Sequence, residues 1–153
     1  MLLNMLDIRD YSNDLHRSQV IQLWRDLLGY QSGHNAAARV IDKKLAVPDG
    51  LFFAAEDSGA PGATVLGTVL AGYDGHRGWL YSLAVRPAHQ YRGIGSALVR
   101  HAEQALAARG CMKINLQIVE GNEGVAAFYA KLGYAVEPRV SMGKRVDAND
   151  GPA

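Results

Sequence analysis

The chain has 153 residues, a formal net charge of +1, 48% hydrophobic residues and 20% charged residues. That length fits one domain with a single sizeable core, and the near-neutral balance excludes a general nucleic-acid binder, which needs a basic face. The single cysteine, Cys111, excludes an intrachain disulfide and points to a reducing compartment.

No apolar run approaches the roughly 18 residues that a membrane span requires. The opening "MLLNMLDIRDY" lacks a basic region and carries Asp7, so it does not read as a signal peptide. The expectation is a cytoplasmic protein with no membrane partner.

Residues 3–9 read as a first strand. "SNDLHRSQVIQLWRDLLGY" places Val20, Leu23, Trp24 and Leu27 at helical spacing, with Gly29 as a stop. "HNAAARVIDKKLAV" repeats the pattern through Ala37, Val40, Ile41 and Leu45 before Pro48. "LFFAAE" (51–56) is a buried-strand candidate, followed by the turn chemistry of "DSGAPG". "TVLGTVLAGYD" (64–74) and "WLYSLAV" (79–85) are rich in β-formers, and Asp74-Gly75 between them predicts a hairpin turn. A helix from about Ile94 to Arg109 buries Ile94, Ala97, Leu98, Ala102, Ala105 and Leu106, with Gly110 at its end. "KINLQIV" (113–119) alternates as a strand, "EGVAAFYAKLG" (123–133) is a short helix, and "YAV" with "VSMGKRV" (140–146) predicts a final hairpin.

The predicted order is β-α-α-β-β-β-α-β-α-β-β, an α/β (α+β) fold in one domain over residues 1–146, with a frayed tail at 147–153. Three antiparallel strands precede a β-α-β crossover between strands four and five.

"VRPAHQYRGIGSAL" (85–98) joins strand four to the helix that begins near Ile94. It puts two glycines at the helix start and no acidic side chain in the first turn. A helix N-terminus exposes backbone N–H groups and the positive end of the helix dipole. Glycines let that backbone approach a ligand closely, and a phosphate or pyrophosphate suits the place best. The bland alternative is a plain strand-to-helix turn. A P-loop is excluded because Ser96 and Ala97 follow Gly95, and a dinucleotide fingerprint is excluded by Leu98.

The residues Gln90-x-x-Gly93-x-Gly95, placed after Val85-Arg86-Pro87, resemble the acetyl-CoA loop of the GCN5-related N-acetyltransferases (GNAT family). Asn122, Phe128-Tyr129 and Lys131-Leu132-Gly133-Tyr134 are similar to that family's second signature. The likeness runs from about residue 7 to 146. "GYDGHRG" (72–78) and "SMGKR" (141–145) look like the small bacterial YpeA-type acetyltransferases. Relatives often carry Arg-Gly where this chain has Gln90-Tyr91, so Tyr91 is expected to fit without a positive φ.

The resemblance implies a GNAT fold, a mixed central sheet in which strands four and five splay apart. It implies acetyl transfer from acetyl-CoA directly to an amine. The pantetheine arm would pair with Leu83, Ala84 and Val85, and the pyrophosphate would sit on Gln90, Tyr91, Arg92, Gly93, Ile94, Gly95 and Ser96. Asn122, Phe128, Tyr129 and Lys131 complete the cofactor-binding set. Tyr129 falls where the family commonly has the acid for the leaving thiolate, although it also reads as a helix-face aromatic beside Phe128.

Relatives that acetylate protein N-termini use a strand-five glutamate where this chain has Gln117. The base candidates are then Glu120, otherwise a solvated loop residue, and Tyr81, otherwise a sheet aromatic. Gln117 favours a small-molecule amine over a protein N-terminus or lysine. Trp24, Tyr30, His34 and Arg145 are acceptor-pocket candidates, with Trp24 also on the apolar helix stripe. Asp74, His76 and Arg77 read first as turn residues. The histidines show no metal-ligand spacing, so no metal is expected. A non-catalytic acyl-CoA-binding or regulatory module is the competing reading, and two copies could pair through the final hairpin.

Overall fold

The computed structural model describes residues 5–58 and 64–147. Its elements are β1 (Leu6–Asp10), α1 (Asn13–Leu28), α2 (Ala37–Leu45), β2 (Phe52–Asp57), β3 (Val65–Tyr73), β4 (Gly78–Val85), α3 (Ile94–Ala107), β5 (Ile114–Leu116) and α4 (Glu123–Lys131). Single 3-10 turns lie at Gly33–Asn35 and Pro87–His89. Residues 3 and 4 of the first expected strand, most of "DSGAPG" and the end of the tail lie outside the described residues. The chain divides into two compact units, Met1–Leu116 and Gln117–Ala153.

The first unit is a five-stranded sheet in the order β1-β2-β3-β4-β5. β1 to β4 pair antiparallel, and β4 with β5 parallel, so the sheet is mixed as expected. β2 is buried from Phe52 to Glu56 and β3 from Val65 to Ala71, because helices cover both faces. On one face Val20, Leu23 and Trp24 of α1 and Ala37 and Ile41 of α2 pack on Phe52, Val65, Leu70 and Ala84. On the other face lies α3, through buried Ile94, Leu98, Val99, Ala102 and Leu106. Gly67 makes that approach possible: a Cβ there would meet the Ala84 carbonyl oxygen at 2.6 Å and Leu98 at 3.1 Å.

α1 begins on a side-chain device that composition does not announce. The Ser12 amide donates to His16 Nδ1 at 2.9 Å, and Tyr11 packs on the same ring at 5.8 Å between centroids. Tyr11 before the cap packs on His16 as a staple residue does, and the His16 ring supplies one half of a capping box, since the Ser12 hydroxyl caps no amide. A nitrogen that accepts carries no proton, so Nε2 holds it and faces Glu56 Oε1 at 2.9 Å. α1 ends as its sequence predicts, at Gly29 with φ 66.

The second unit contains α4, whose first turn is capped by Asn122 Oδ1 accepting from the Val125 amide at 3.4 Å. The expected final hairpin is not formed: residues 134–147 have no strand. Val136, Val140, Met142 and Val146 are at least 90% exposed. β-formers make a strand only against a partner and a face to cover, and this segment, broken by Pro138 and Gly143, has neither among the described residues. The hairpin through which two copies are expected to pair is therefore absent. Strand five is also shorter than the expected 113–119, since its ladder stops at Leu80↔Leu116. No described helix is long and apolar enough to cross a membrane.

Candidate active site

The turn between β4 and α3 is built almost wholly from main chain. Pro87–His89 makes one 3-10 turn, and Gln90 folds back so that Nε2 donates to the Val85 carbonyl at 3.0 Å. Gly93 stands at the N-cap of α3 with φ 82 and ψ 5, and no side chain caps the helix. No acidic residue lies in the first turn. The amides of Ile94, Gly95 and Ser96 thus begin a 14-residue helix with no acceptor in the preceding turn to bond. An anion fits such a place through charge-assisted N–H contacts and the helix dipole.

Tyr91 corrects one expectation. Its φ is 63, in the left-handed region, rather than negative. The loop keeps the backbone shape that a glycine would take and strains a tyrosine to do so, at about 1–2 kcal/mol. The residue is fully exposed. Arg92 and Gln90 are exposed beside it, Ile94 is buried, and Gly95 and Ser96 are half-buried.

Strand four carries a second left-handed residue, Ser82, with φ 51. Pairing shows why. Thr68 faces Ala84 and Leu70 faces Tyr81, so Val69 alone on β3 stands opposite both Ser82 and Leu83 on β4. This is a one-residue bulge, and it reverses the side-chain alternation. Tyr81 and Ala84, three apart, therefore lie on the same face of the sheet. Thr68 Oγ1 donates to the Ser82 carbonyl at 3.0 Å and accepts from Trp24 Nε1 at 2.8 Å. The Ser82 hydroxyl lies 3.1 Å from that of Tyr30. Beyond Leu80, β4 is paired with β3 but no longer with β5. Leu83, Ala84 and Val85 lie on that stretch.

Tyr81 is 40% exposed and has the Lys44 ammonium 5.7 Å from its ring centroid. Lys44 is itself buried and donates to Asp49 Oδ2 and the Ala71 carbonyl. Trp24 is fully buried in the core. Tyr30 reaches the strand-four bulge, whereas His34 is exposed in its 3-10 turn. Asp74 staples the hairpin turn, accepting from the amides of Arg77 at 2.7 Å and His76 at 2.8 Å. Those donors, Arg77 first, hold its carboxyl below the usual range.

In the second unit Tyr129 is the one buried residue of α4. Phe128 and Tyr134 stand edge-on to its ring at 5.0 and 5.6 Å. Burial pushes its hydroxyl up to about 12. Lys131 is exposed in the last turn, and Glu120 is exposed just before the helix. Gln117 donates to Ser141 Oγ at 2.5 Å, and Arg145 forms a two-pronged pair with Asp147.

The sequence did not point to Ser82, Thr68 or Lys44. A serine and a threonine inside strand-forming runs carry no signal of a bulge or of a hydrogen bond to a tryptophan 44 residues away.

Residues 16–134 match the acetyltransferase (GNAT) family. An acetyltransferase of Yersinia pestis (strain Pestoides F) is 38% identical over 143 residues, covering 92% of this chain and 96% of that protein. An acetyltransferase of Yersinia enterocolitica is 41% identical over 130 residues, covering 84% and 87%. Among solved structures, the PaiA N-acetyltransferase of Thermoplasma acidophilum in complex with coenzyme A superposes with a TM-score of 0.70 at 19% identity, covering 88% and 92%. The chain belongs to the GNAT acetyltransferase family, whose members carry out acetyl-CoA-dependent acetylation, and its activity is acyl transfer.

Proposed function

We propose that the chain moves the acetyl group of acetyl-CoA directly to a primary amine. The observation that carries this reading is the turn at 90–96, which strains Tyr91 and opens Gly93 to present main-chain donors at the start of α3. The pyrophosphate rests on the amides of this turn, with Gln90 and Arg92 at its rim. The pantetheine arm pairs with the β4 backbone from Leu83 to Val85, which β5 leaves unpaired. Asn122, Phe128 and Lys131 complete the cofactor contacts.

The amine attacks the acetyl carbonyl carbon, a C–N bond forms, and the C–S bond breaks to release CoA. A strand-four N–H supports the charge developing on the carbonyl oxygen. Glu120, through a water, takes the proton that the amine must lose, with Tyr81 as the other base within reach of the same strand system. Tyr129 donates to the departing sulfur. Its high pKa keeps the hydroxyl protonated at working pH. A thiol ordinarily ionises at roughly 8.5, so Tyr129 acts as a hydrogen-bond donor and passes a proton only as it regains one. Gln117 is engaged with Ser141 and offers no carboxylate, which favours a small-molecule amine over a protein N-terminus or lysine.

The test is binding and turnover together. Gly93→Asp adds a side chain and a negative charge at a left-handed position. It should weaken CoA affinity at least tenfold by calorimetry while the protein stays folded. Unchanged affinity would remove the loop from the site. An acceptor panel with acetyl-CoA as donor, read as CoA released, identifies the amine.

A further inference from the structure

Tyr30 follows α1 and Ser82 lies 52 residues later, in the middle of β4, yet their hydroxyls meet at 3.1 Å. Three features converge on Ser82. Its backbone is left-handed, at φ 51. Its carbonyl is held by Thr68, which is held in turn by the fully buried Trp24. Its hydroxyl is held by Tyr30. A non-glycine residue keeps such a conformation only where its surroundings over-determine it. Here a helix, the loop after it and a neighbouring strand all do so at one residue.

The bulge has a directional effect. Without it, Ala84 would fall on the α3 face of the sheet, and Leu83 and Val85 on the α1 face. With it, Ala84 packs in the cluster of Val20 and Trp24, and the main chain of Leu83 to Val85 rotates with it. That stretch lies beyond the β4–β5 ladder, which ends at Leu80, and Gln90 Nε2 holds the carbonyl of Val85 at its end.

We infer that Tyr30 is a positioning residue: with the Ser82 hydroxyl it locks the strand-four bulge and so sets the direction in which the Leu83–Val85 main chain faces the acyl donor. The inference rests on the acetyl-transfer reading of that stretch. Tyr30 touches no reacting atom in it, and the hydroxyl pair acts through the backbone alone.

Four variants test it: Tyr30→Phe, Ser82→Ala, the two combined, and Ser82→Gly. Turnover is read with the amine found in the acceptor panel, CoA affinity by calorimetry, and the Leu83 amide by NMR without ligand. Tyr30→Phe and Ser82→Ala should each lower kcat about tenfold, leave the melting temperature within a few degrees and shift the Leu83 amide resonance. The combined variant should be no worse than either alone, because both remove one hydrogen bond. Ser82→Gly should recover most of kcat, since glycine holds a positive φ without help from a hydroxyl. A kcat within twofold of the parent in both single variants would overturn the proposal. So would a Ser82→Gly variant as slow as Ser82→Ala, which would make the hydroxyl itself the active group. If the parent acetylates no amine, the functional reading falls. The Leu83 amide still decides the structural claim, and an unshifted resonance in Tyr30→Phe overturns it.

Discussion

Tyr129 loses its aqueous surroundings on folding, and that alone raises its hydroxyl from 10.0 to about 12. The consequence for stability has a definite sign. Below pH 10 the group is protonated in both the folded and unfolded chain and contributes no pH dependence. Between 10 and 12 the unfolded chain releases the proton while the folded chain keeps it, so stability falls as pH rises. The loss attributable to Tyr129 is on the order of 2 kcal/mol. Tyr129→Phe removes it, and urea unfolding from pH 9 to 12 should show a shallower decline in the variant than in the parent. Parallel curves would mean the hydroxyl is better solvated than its burial implies. The same variant should lose turnover by roughly the 10²–10⁴ range of general acid–base catalysis, with CoA affinity little changed. A tyrosine at this position was legible in the sequence from the pattern around it. Its burial was not, since α4 is otherwise exposed or half-buried and gives no apolar stripe to place it.

Elements with strong periodicity were the legible ones. α1 and α3 follow their apolar spacing, and β2 to β4 follow runs of β-formers bounded by turn residues. The failures share a cause. The β5 ladder and the absent C-terminal hairpin depend on a partner strand, which composition does not encode. The β4 bulge is hidden because every residue from Trp79 to Val85 except Ser82 is apolar or aromatic, so a slip in alternation leaves no trace. Packing between elements supplies a prediction of its own. Gly67 sits where β3 passes under α3, and a Cβ there would meet a backbone carbonyl at 2.6 Å, with Leu98 and Val85 at 3.1 and 3.3 Å. A carbonyl within a ladder cannot rotate away. Gly67→Ala should destabilise the protein by about 1–3 kcal/mol through overpacking. Gly124→Ala, in α4 with nothing within 4 Å of its added carbon, is the control and should change stability by less than about 1 kcal/mol. Equal effects of the two would show that α3 yields to a methyl group at the sheet.

At the scale of the whole molecule, polar contacts join segments far apart in the chain. His16 joins α1 to Glu56 on β2, and the Arg109 guanidinium joins the end of α3 to the Asp49 carbonyl before β2. None of these pairs is close in sequence, so none could be read ahead of the fold. The turn at 90–96 could, because it is a local run of residues. The half-paired β4 has a further consequence. A strand that loses one of its two neighbouring strands partway along becomes an edge inside a sheet, and such an edge invites another chain to complete it. On the proposed reading the cosubstrate occupies that vacancy and behaves as a short, removable strand. Anything that binds the folded state alone stabilises it by mass action, so acetyl-CoA at about a hundred times its Kd should add about 2.7 kcal/mol, measured by urea unfolding. Ligand-free protein should scatter light at a lower temperature on heating than the complex does. Gly93→Asp, at the same ligand concentration, should lose at least half of that stabilisation and scatter light at a lower temperature than the parent complex. Supply of cosubstrate would then govern how long the protein survives as well as how fast it works.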